Sequence, residues 1–239
     1  PYFFFFFITA PEPAGVPLGI AAGRAGESDG ARTIEQAALE VASFRLQTLA
    51  PPAVGTLINL ATRASVGPGE RAAIAGFVVS GNQPKAVLLR AAGPALAAFG
   101  VSDALGAPSL ELYSGAALLA ENAGWAKSSN AAAIAGAAAQ VGAFSFATGS
   151  ADAALLATLA PGAYTAVARS ESATGSVLLE AYETAATSGR LVNLSTRAYA
   201  DNTGHPLIAG FVVRGAPGTT KRVLVRALGP TLSRAPFSM

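Results

Sequence analysis

The sequence contains no cysteine and a single histidine, His205. Without cysteine there is no disulfide, no thiolate nucleophile and no cysteine-ligated metal. One histidine excludes every metal or catalytic site that needs two imidazole rings. These two absences remove most zinc centres and all cysteine-dependent catalysis.

Charged residues are also scarce, at 13% of the 239 residues, whereas hydrophobic residues make up 51%. A disordered chain needs the opposite balance, so we predict a folded protein with a substantial core, of one large or two ordinary domains. The longest strongly apolar run, Tyr2 to Ile8, is much shorter than the roughly 18 residues of a membrane-spanning helix. We therefore expect a protein that does not span a membrane.

The net charge of +2 hides an uneven distribution. Residues 191–239 carry six arginines and lysines against Asp201 alone, and the rest of the chain is acidic overall. Nucleic-acid binding would need several exposed aromatic residues among these charges, and this end has few, namely Tyr199, Phe211 and Phe237. We expect no nucleic-acid partner. The basic end is either a solvated face or a surface that meets an acidic one on another copy or partner.

Three blocks of sequence occur twice, at an offset of 134 or 136 residues. The pairs are 57–64 with 191–198, 74–79 with 208–213, and 87–96 with 223–232. Ordered blocks at one spacing indicate a duplicated unit of ordinary domain size. Within these 239 residues the second copy stops after its Gly-Pro block, before any counterpart of residues 97–183, so we expect that this half is either cut short here or completed by something else.

Short apolar runs bounded by Gly, Pro, Asn and Ser fill the complete copy, and several alternate as in a sheet with one wet face. Strands are predicted over Ala73–Val79, Ala86–Arg90, Ser109–Tyr113, Ala153–Leu159, Ala163–Arg169 and Ser176–Tyr182. Pro161-Gly162 predicts a hairpin between two of them, and Asn130–Gln140 predicts one Ala-rich helix. The predicted fold class is all-β: an antiparallel β-sandwich or jelly-roll-like repeat with one short helix, plus a partial second repeat.

We divide the chain into residues 1–56, a complete sandwich repeat over 57–187 and a partial second repeat over 188–239. The first part combines an apolar strand, a Gly/Pro-rich linker and a short helix or strand. Its five consecutive phenylalanines would be an aggregation hazard in water. They are buried either in the chain's own sandwich or, as an added strand, in a groove of another subunit.

Three segments of the complete copy carry a family resemblance: 107–115 (APSLELYSG), 118–125 (LLAENAGW) and 159–165 (LAPGAYT). They resemble the bacterial pre-peptidase C-terminal type of β-sandwich, and the longer unit is similar to tandem repeats of large secreted bacterial surface proteins. The resemblance implies a secreted or cell-surface, extracellular location. Some relatives hold calcium with acidic residues where Ala107 and Ala123-Gly124 stand here. Calcium needs several carboxylates, so we expect no metal at this edge.

Catalytic patterns are weak. His205 lies in a Gly-rich turn of the repeated scaffold, and no Gly-x-Ser-x-Gly elbow occurs. Glu180 with Glu183, or Glu111 with Glu121, would be paired carboxylates, but strand alternation predicts that they lie on a solvated face. We expect no enzymatic activity and no catalytic, cofactor or metal site.

Two function classes remain. The first is a structural subunit of a secreted or cell-surface bacterial assembly, such as an adhesin or a filament built by donor-strand exchange. The second is a module of a secreted multidomain protein that binds carbohydrate or a partner protein. The scattered aromatic residues favour the first class, with a homo-oligomer or polymer expected and polysaccharide as the other partner considered. The subunit contacts predicted for strand exchange are Phe3, Phe4, Phe5, Phe6, Phe7, Phe211, Val213, Val223 and Val225.

Overall fold

The computed structural model describes residues 2–9, 55–184, 189–200 and 205–228; residues 2–9 are described by their backbone. Within these ranges lie twelve β-strands, one α-helix and two short 3₁₀ helices. The strands are β1 (Tyr2–Thr9), β2 (Thr56–Val66), β3 (Ala73–Ser80), β4 (Lys85–Ala92), β5 (Ser109–Ser114), β6 (Ala117–Asn122), β7 (Ala153–Leu159), β8 (Gly162–Arg169), β9 (Gly175–Glu183), β10 (Arg190–Ala200), β11 (Ile208–Arg214) and β12 (Leu224–Leu228). Helix α1 covers Ala131–Gln140, and the 3₁₀ helices cover Pro94–Phe99 and Trp125–Lys127. The linker and the short helix or strand expected in residues 10–54 lie outside the described residues.

The predicted all-β, antiparallel fold is confirmed. The six strands predicted from the sequence are β3, β4, β5, β7, β8 and β9, and their ends differ by at most two residues from the prediction. The predicted helix is also present and starts directly after Asn130. Strand β6 was not predicted, because its adjacent residues Leu118 and Leu119 are both exposed and the run therefore lacks alternation.

The strands form two arms of one hydrogen-bonded set, which we call the first and second sheets. The first sheet has the order β6-β5-β8-β3-β10-β1-β12, and the second has the order β11-β2-β9-β4-β7. A single pair, Tyr199 with Ser65, joins β10 to β2 and thereby links the sheets. The hairpin predicted at Pro161-Gly162 is wrong, since β7 pairs with β4 while β8 pairs with β3 and β5. A turn signal fixes a change of direction, not the hydrogen-bond partners of the strands that it connects.

The main core lies between the two sheets. On β3 every second side chain points inward and is buried: Ala73, Ala75, Phe77 and Val79. The Phe77 ring stacks on Tyr164 of β8, with 5.7 Å between ring centroids. Leu89 of β4 and Leu179 of β9 belong to the same buried cluster, which places second-sheet side chains against the first sheet.

A second, smaller core lies on the outer face of the second sheet, under α1. Ile134 and Ala137 stand three residues apart, on one face of the helix, and pack with Leu88 and Ala154. The helix thus covers a sheet face that strand alternation alone predicted to be solvated. None of the helices that the structure describes is long and apolar enough to cross a membrane.

The strand pairing follows the sequence duplication, but the two copies exchange partners. The opening strand of each copy pairs with the second strand of the other: β2 with β11, and β10 with β3. The registers are equivalent, because Leu60 lies opposite Phe211 while its counterpart Leu194 lies opposite Phe77. Both ladders also skip one residue at the same position of the opening strand.

Phe77 and Phe211 show how the copies differ. They occupy the same place in the repeat and face equivalent leucines, yet Phe77 is 1% exposed and Phe211 is 39% exposed. Phe77 is covered by β8, whereas β11 pairs with β2 alone among the described strands. The difference therefore comes from the covering strand and not from the repeated sequence.

We predict that Phe77→Ala destabilises the fold by about 3–5 kcal/mol, since it leaves a cavity in the main core. Phe211→Ala is the matched control, in the same Ala-Gly-Phe-Val-Val sequence, and should cost less than about 1.5 kcal/mol. Urea unfolding of the two variants measures the difference as a shift of the midpoint. Equal losses would contradict the environments described above.

Candidate functional site

The N-terminal strand completes the second copy of the repeat. In the first copy β9 lies between β2 and β4, and in the second copy β1 lies between β10 and β12. We call the place between β10 and β12 the acceptor slot. At one side of the slot the registers agree: β9 sets Gly175 opposite Val66, and β1 sets Tyr2 opposite Ala200, the counterpart of Val66.

The other side of the slot agrees as well. On β4, Ala92 lies opposite Leu178 of β9. On β12 the counterpart of Ala92 is Leu228, which lies opposite Phe5. Leu178 and Phe5 are each the fourth residue of their strand, so β1 matches β9 at both neighbours with one alignment. A segment that precedes the duplicated region in sequence thus takes the place of its last strand.

The five phenylalanines predicted as subunit contacts, Phe3 to Phe7, all lie in β1. The sequence left open whether this segment pairs within its own chain or with another subunit. In the structure it pairs with its own chain, at eight positions of β10 and five of β12. Exchange of this strand between copies stays a hypothesis.

Equivalent residues of the two opening strands contact each other. Thr62 and Thr196, both buried, share a hydrogen bond of 2.8 Å between their hydroxyl oxygens. Arg190 donates from Nη1 to Oγ1 of its counterpart Thr56, at 3.0 Å. Each contact joins residues 134 positions apart, as does the single bridge between the sheets. The two copies are thus related by a pseudo-twofold axis between β2 and β10.

Two strand edges of the second copy are open among the described residues. β3 lies between β10 and β8, whereas β11 pairs with β2 alone; β4 lies between β9 and β7, whereas β12 pairs with β1 alone. The predicted contact Val223 is half-buried against the main core. The large apolar side chains exposed on these two strands are Ile208, Phe211, Val212, Val213, Leu224 and Val225.

A buried charge cluster lies under α1, on the outer face of the second sheet. Arg90 Nη1 stands 3.6 Å from Glu180 Oε2, and Glu180 Oε1 accepts a hydrogen bond of 2.7 Å from the Tyr182 hydroxyl. The Arg90 guanidinium also lies over the rings of Phe144 and Phe146, at 4.4 and 4.0 Å from their centroids. The prediction that Glu180 lies on a solvated face is wrong, because this face is covered by α1 and the segment after it.

Burial governs the protonation of this cluster. It raises the pKa of Glu180 above its usual range, despite the opposing attraction of Arg90. Burial and the neighbouring Glu180 also raise the pKa of Tyr182, which keeps the phenol protonated as the donor to Glu180. Desolvation lowers the pKa of Arg90. An apolar cavity of about 270 Å³ opens beside Arg90, walled by Trp125, Phe144 and Phe146.

The other glutamate pairs proposed from sequence have different surroundings. Glu183 forms a buried ion pair with Lys85, at 3.0 Å, and its other oxygen accepts from the Leu191 backbone. Glu111 and Glu121 are directly opposite on β5 and β6, and Arg169 binds Glu111 at 3.0 Å. Lys85 and Arg169 therefore bind Glu183 and Glu111, and among the described residues Glu121 has no cationic partner.

Asp152 is a fully buried carboxylate that sequence reasoning missed, since it stands alone between small residues. Its Oδ1 accepts from the backbone nitrogens of Gly93 and Ala95, at 2.7 and 3.2 Å. Its Oδ2 accepts from the Ser150 hydroxyl at 2.7 Å. Asp152 thereby holds the turn that follows β4, a structural task.

The positions that the family resemblance singled out come together in space. Ala107, Ala123 and Gly124 line one cavity of about 610 Å³, in which Glu171 is the carboxylate on the wall. Within the described ranges, no three or more histidines, aspartates or glutamates are grouped to hold a metal ion. His205 is half-buried, three residues before the start of β11.

Comparison of the chain with protein-family models, with curated proteins and with solved structures gives no match.

We predict that Arg90→Met costs about 3–5 kcal/mol at neutral pH, because it leaves Glu180 buried without its cation. Arg169→Met is the matched control: its ion pair with Glu111 is half-exposed, so its loss should cost less than about 1 kcal/mol. Adding Glu180→Leu to Arg90→Met should recover most of the loss. Urea unfolding measures all three, and equal costs for the two Arg→Met variants would contradict the buried-pair interpretation.

We also predict a pH dependence that depends on Glu180. Its pKa is higher in the folded state than in the unfolded chain, so folding takes up a proton between the two values. The stability contributed by this group is complete below the unfolded pKa and is lost as the pH rises through the folded pKa. Glu180→Gln should remove this fall, which begins near the ordinary pKa of a glutamate at about 4.3, whereas Glu171→Gln, at an exposed position, should not. Parallel pH profiles for parent and Glu180→Gln would disprove the assignment.

Proposed function

We propose that the chain is a non-catalytic structural subunit of a secreted or cell-surface assembly, in which the N-terminal strand of one subunit completes the second repeat of the next. The observation that carries this proposal is the match between β1 and β9. Both strands lie between equivalent neighbours in one register. The acceptor slot is thus a place for an added strand.

Strand β1 is distant in sequence from the two strands that it pairs with, and such a strand is suited to exchange between subunits. The same strand from a second copy makes the same contacts, so the exchanged and closed forms differ mainly in the connection and in concentration. Residues 10–55 connect β1 to β2. A connection of 46 residues reaches up to about 150 Å when extended, which is ample for a neighbouring subunit.

The use of the aromatic side chains supports a structural role over carbohydrate binding. A carbohydrate platform presents several free aromatic faces on one surface. Here the hydroxyls of Tyr113, Tyr164 and Tyr182 donate to Glu111, to the Ala160 carbonyl and to Glu180, and each tyrosine lies on a different strand. The indole of Trp125 donates to the Ala147 carbonyl and the Ser150 hydroxyl.

Engineered cysteines test the exchange directly, because the chain has no cysteine of its own. Ile8 and Val225 are cross-strand partners, as are the adjacent Thr9 and Leu224. Successive pairs alternate between the wide and the narrow spacing of an antiparallel ladder, so one of the two double-cysteine variants has the spacing that suits a disulfide. Strand exchange predicts a ladder of disulfide-linked oligomers after oxidation at high protein concentration.

The single-cysteine variants are the controls and should give no ladder above dimer. Deletion of residues 1–10 should give smaller assemblies than the parent chain forms, since the donor strand is gone. If oxidation of both double variants yields only internally linked monomers at every concentration, or if the deletion variant assembles like the parent, exchange through this strand is wrong.

A further inference from the structure

The first sheet ends in two edge strands, both of which expose apolar side chains. At one end is β6 and at the other is β12; among the described strands, β6 pairs with β5 alone and β12 pairs with β1 alone. Both edges carry adjacent exposed apolar side chains: Leu118 and Leu119 at 49% each, and Leu224 and Val225 at 56% and 48%. Folded proteins usually blunt such edges, because an exposed apolar edge strand pairs readily with another chain.

The first repeat shows what covers an edge of the β12 type. Strand β4 is the counterpart of β12, and its edge is covered by β7. The residues of β7 that lie against the centre of β4 are Ala154-Leu155-Leu156-Ala157. Strand β6 carries the same four residues in the same order, Ala117-Leu118-Leu119-Ala120. The exposed edge strand at one end of the sheet therefore has the sequence that covers the other end in the first repeat.

The β4–β7 register can be transferred to β12 and β6. Leu89 and Leu88 of β4 lie opposite Leu155 and Leu156 of β7. The equivalent pairs in the second copy are Val225 with Leu118 and Leu224 with Leu119, so that all four exposed apolar side chains become partnered.

The same register pairs two opposite charges. Ala86 lies opposite Thr158 in the first repeat. The equivalent positions are Arg222, next to β12, and Glu121, at the end of β6, and both are exposed. Glu121 has the like charge of Glu111 as its cross-strand neighbour on β5, which is unfavourable. An arginine on its open side would offset that repulsion.

We propose that the β6 edge of one copy pairs with the β12 edge of a second copy, in the register of β7 on β4, and so continues the first sheet from subunit to subunit. The proposal rests on the proposed function only in that the chain assembles with itself; it uses a different contact from the exchange of β1. Within one copy the two edges are six strand spacings apart, about 29 Å along the sheet. The contact is head to tail and does not close on itself, so it yields an open chain of subunits.

The decisive experiment uses the full chain with Leu118→Cys and Val225→Cys together. The two positions are too far apart along the sheet for a disulfide within one copy, which requires Cα atoms within about 7 Å. Oxidation should therefore give linked oligomers that grow with protein concentration. Each single-cysteine variant, and a double variant with Leu119→Cys and Ile208→Cys, which places the second thiol on β11 instead of β12, should give none beyond dimer.

Charge reversal tests the register independently. Glu121→Lys or Arg222→Glu alone should weaken self-association about tenfold, as measured by sedimentation at low salt. The two changes combined in one chain, or an equimolar mixture of the two single variants, should restore it. Glu70→Lys and Lys127→Glu, which reverse exposed charges elsewhere, are the controls.

A parent chain that remains monomeric at every concentration, reversal variants that behave like the controls, or a double-cysteine variant that links no further than its controls would each overturn the proposal. The outcome is separable from that for strand exchange. Internally linked monomers from the Ile8/Val225 pair reject exchange, whereas oligomers from the Leu118/Val225 pair support edge pairing whichever chain donates β1.

Discussion

The reciprocal pairing of β2 with β11 and of β10 with β3 is the constraint on which the rest of the structure depends. It places the opening strand of each copy in a ladder with the other copy, so neither copy can complete its sheets alone. The Thr62–Thr196 hydrogen bond lies on the axis of this exchange, between buried residues at the same position of the repeat. A polar pair in that place is satisfied only when the two strands stand in this one alignment, because an unpaired buried hydroxyl is costly.

From this exchange follows the distribution of exposed apolar surface. The pseudo-twofold axis gives the second copy the same three opening strands as the first, namely β10, β11 and β12. In the first copy β7, β8 and β9 pair beside the opening strands, and among the described residues the second copy has no such strands of its own. Strand β1 takes the place of β9, so that β10-β1-β12 repeats the pattern of β2-β9-β4. The other two are open, and Phe211 on β11 and Val225 on β12 are exposed for that single reason. The edge contact of β6 with β12 would fill the second of these places between subunits.

The sequence predicted those features that depend on local periodicity, such as β3, β9 and α1. It also revealed the duplication, because blocks such as Ala-Gly-Phe-Val-Val recur at one spacing. Alternation of polar and apolar residues could not reveal the burial of Glu180. It assigns residues to the two faces of a strand, but it does not show that a helix some forty residues away covers one of these faces. The partner exchange left no sequence signal either: two copies with similar opening strands satisfy the same hydrogen bonds whether each pairs within its copy or across the axis.

The acceptor slot illustrates why a strand from elsewhere can serve. In the first copy the slot strand brings Glu180 opposite Arg90, and this ion pair belongs to a cluster that also needs Tyr182 and the two rings of Phe144 and Phe146. In the second copy the residue opposite Arg226 is Phe7, and Arg226 is exposed. The side-chain chemistry of the slot has therefore changed completely while the register has not. The recognition common to both slots is the backbone ladder, which any strand of suitable length supplies. Such a slot accepts a strand whose backbone can form the ladder in this register. A copy of β1 from the same chain or from a neighbour offers the same backbone, and the two therefore fit equally well.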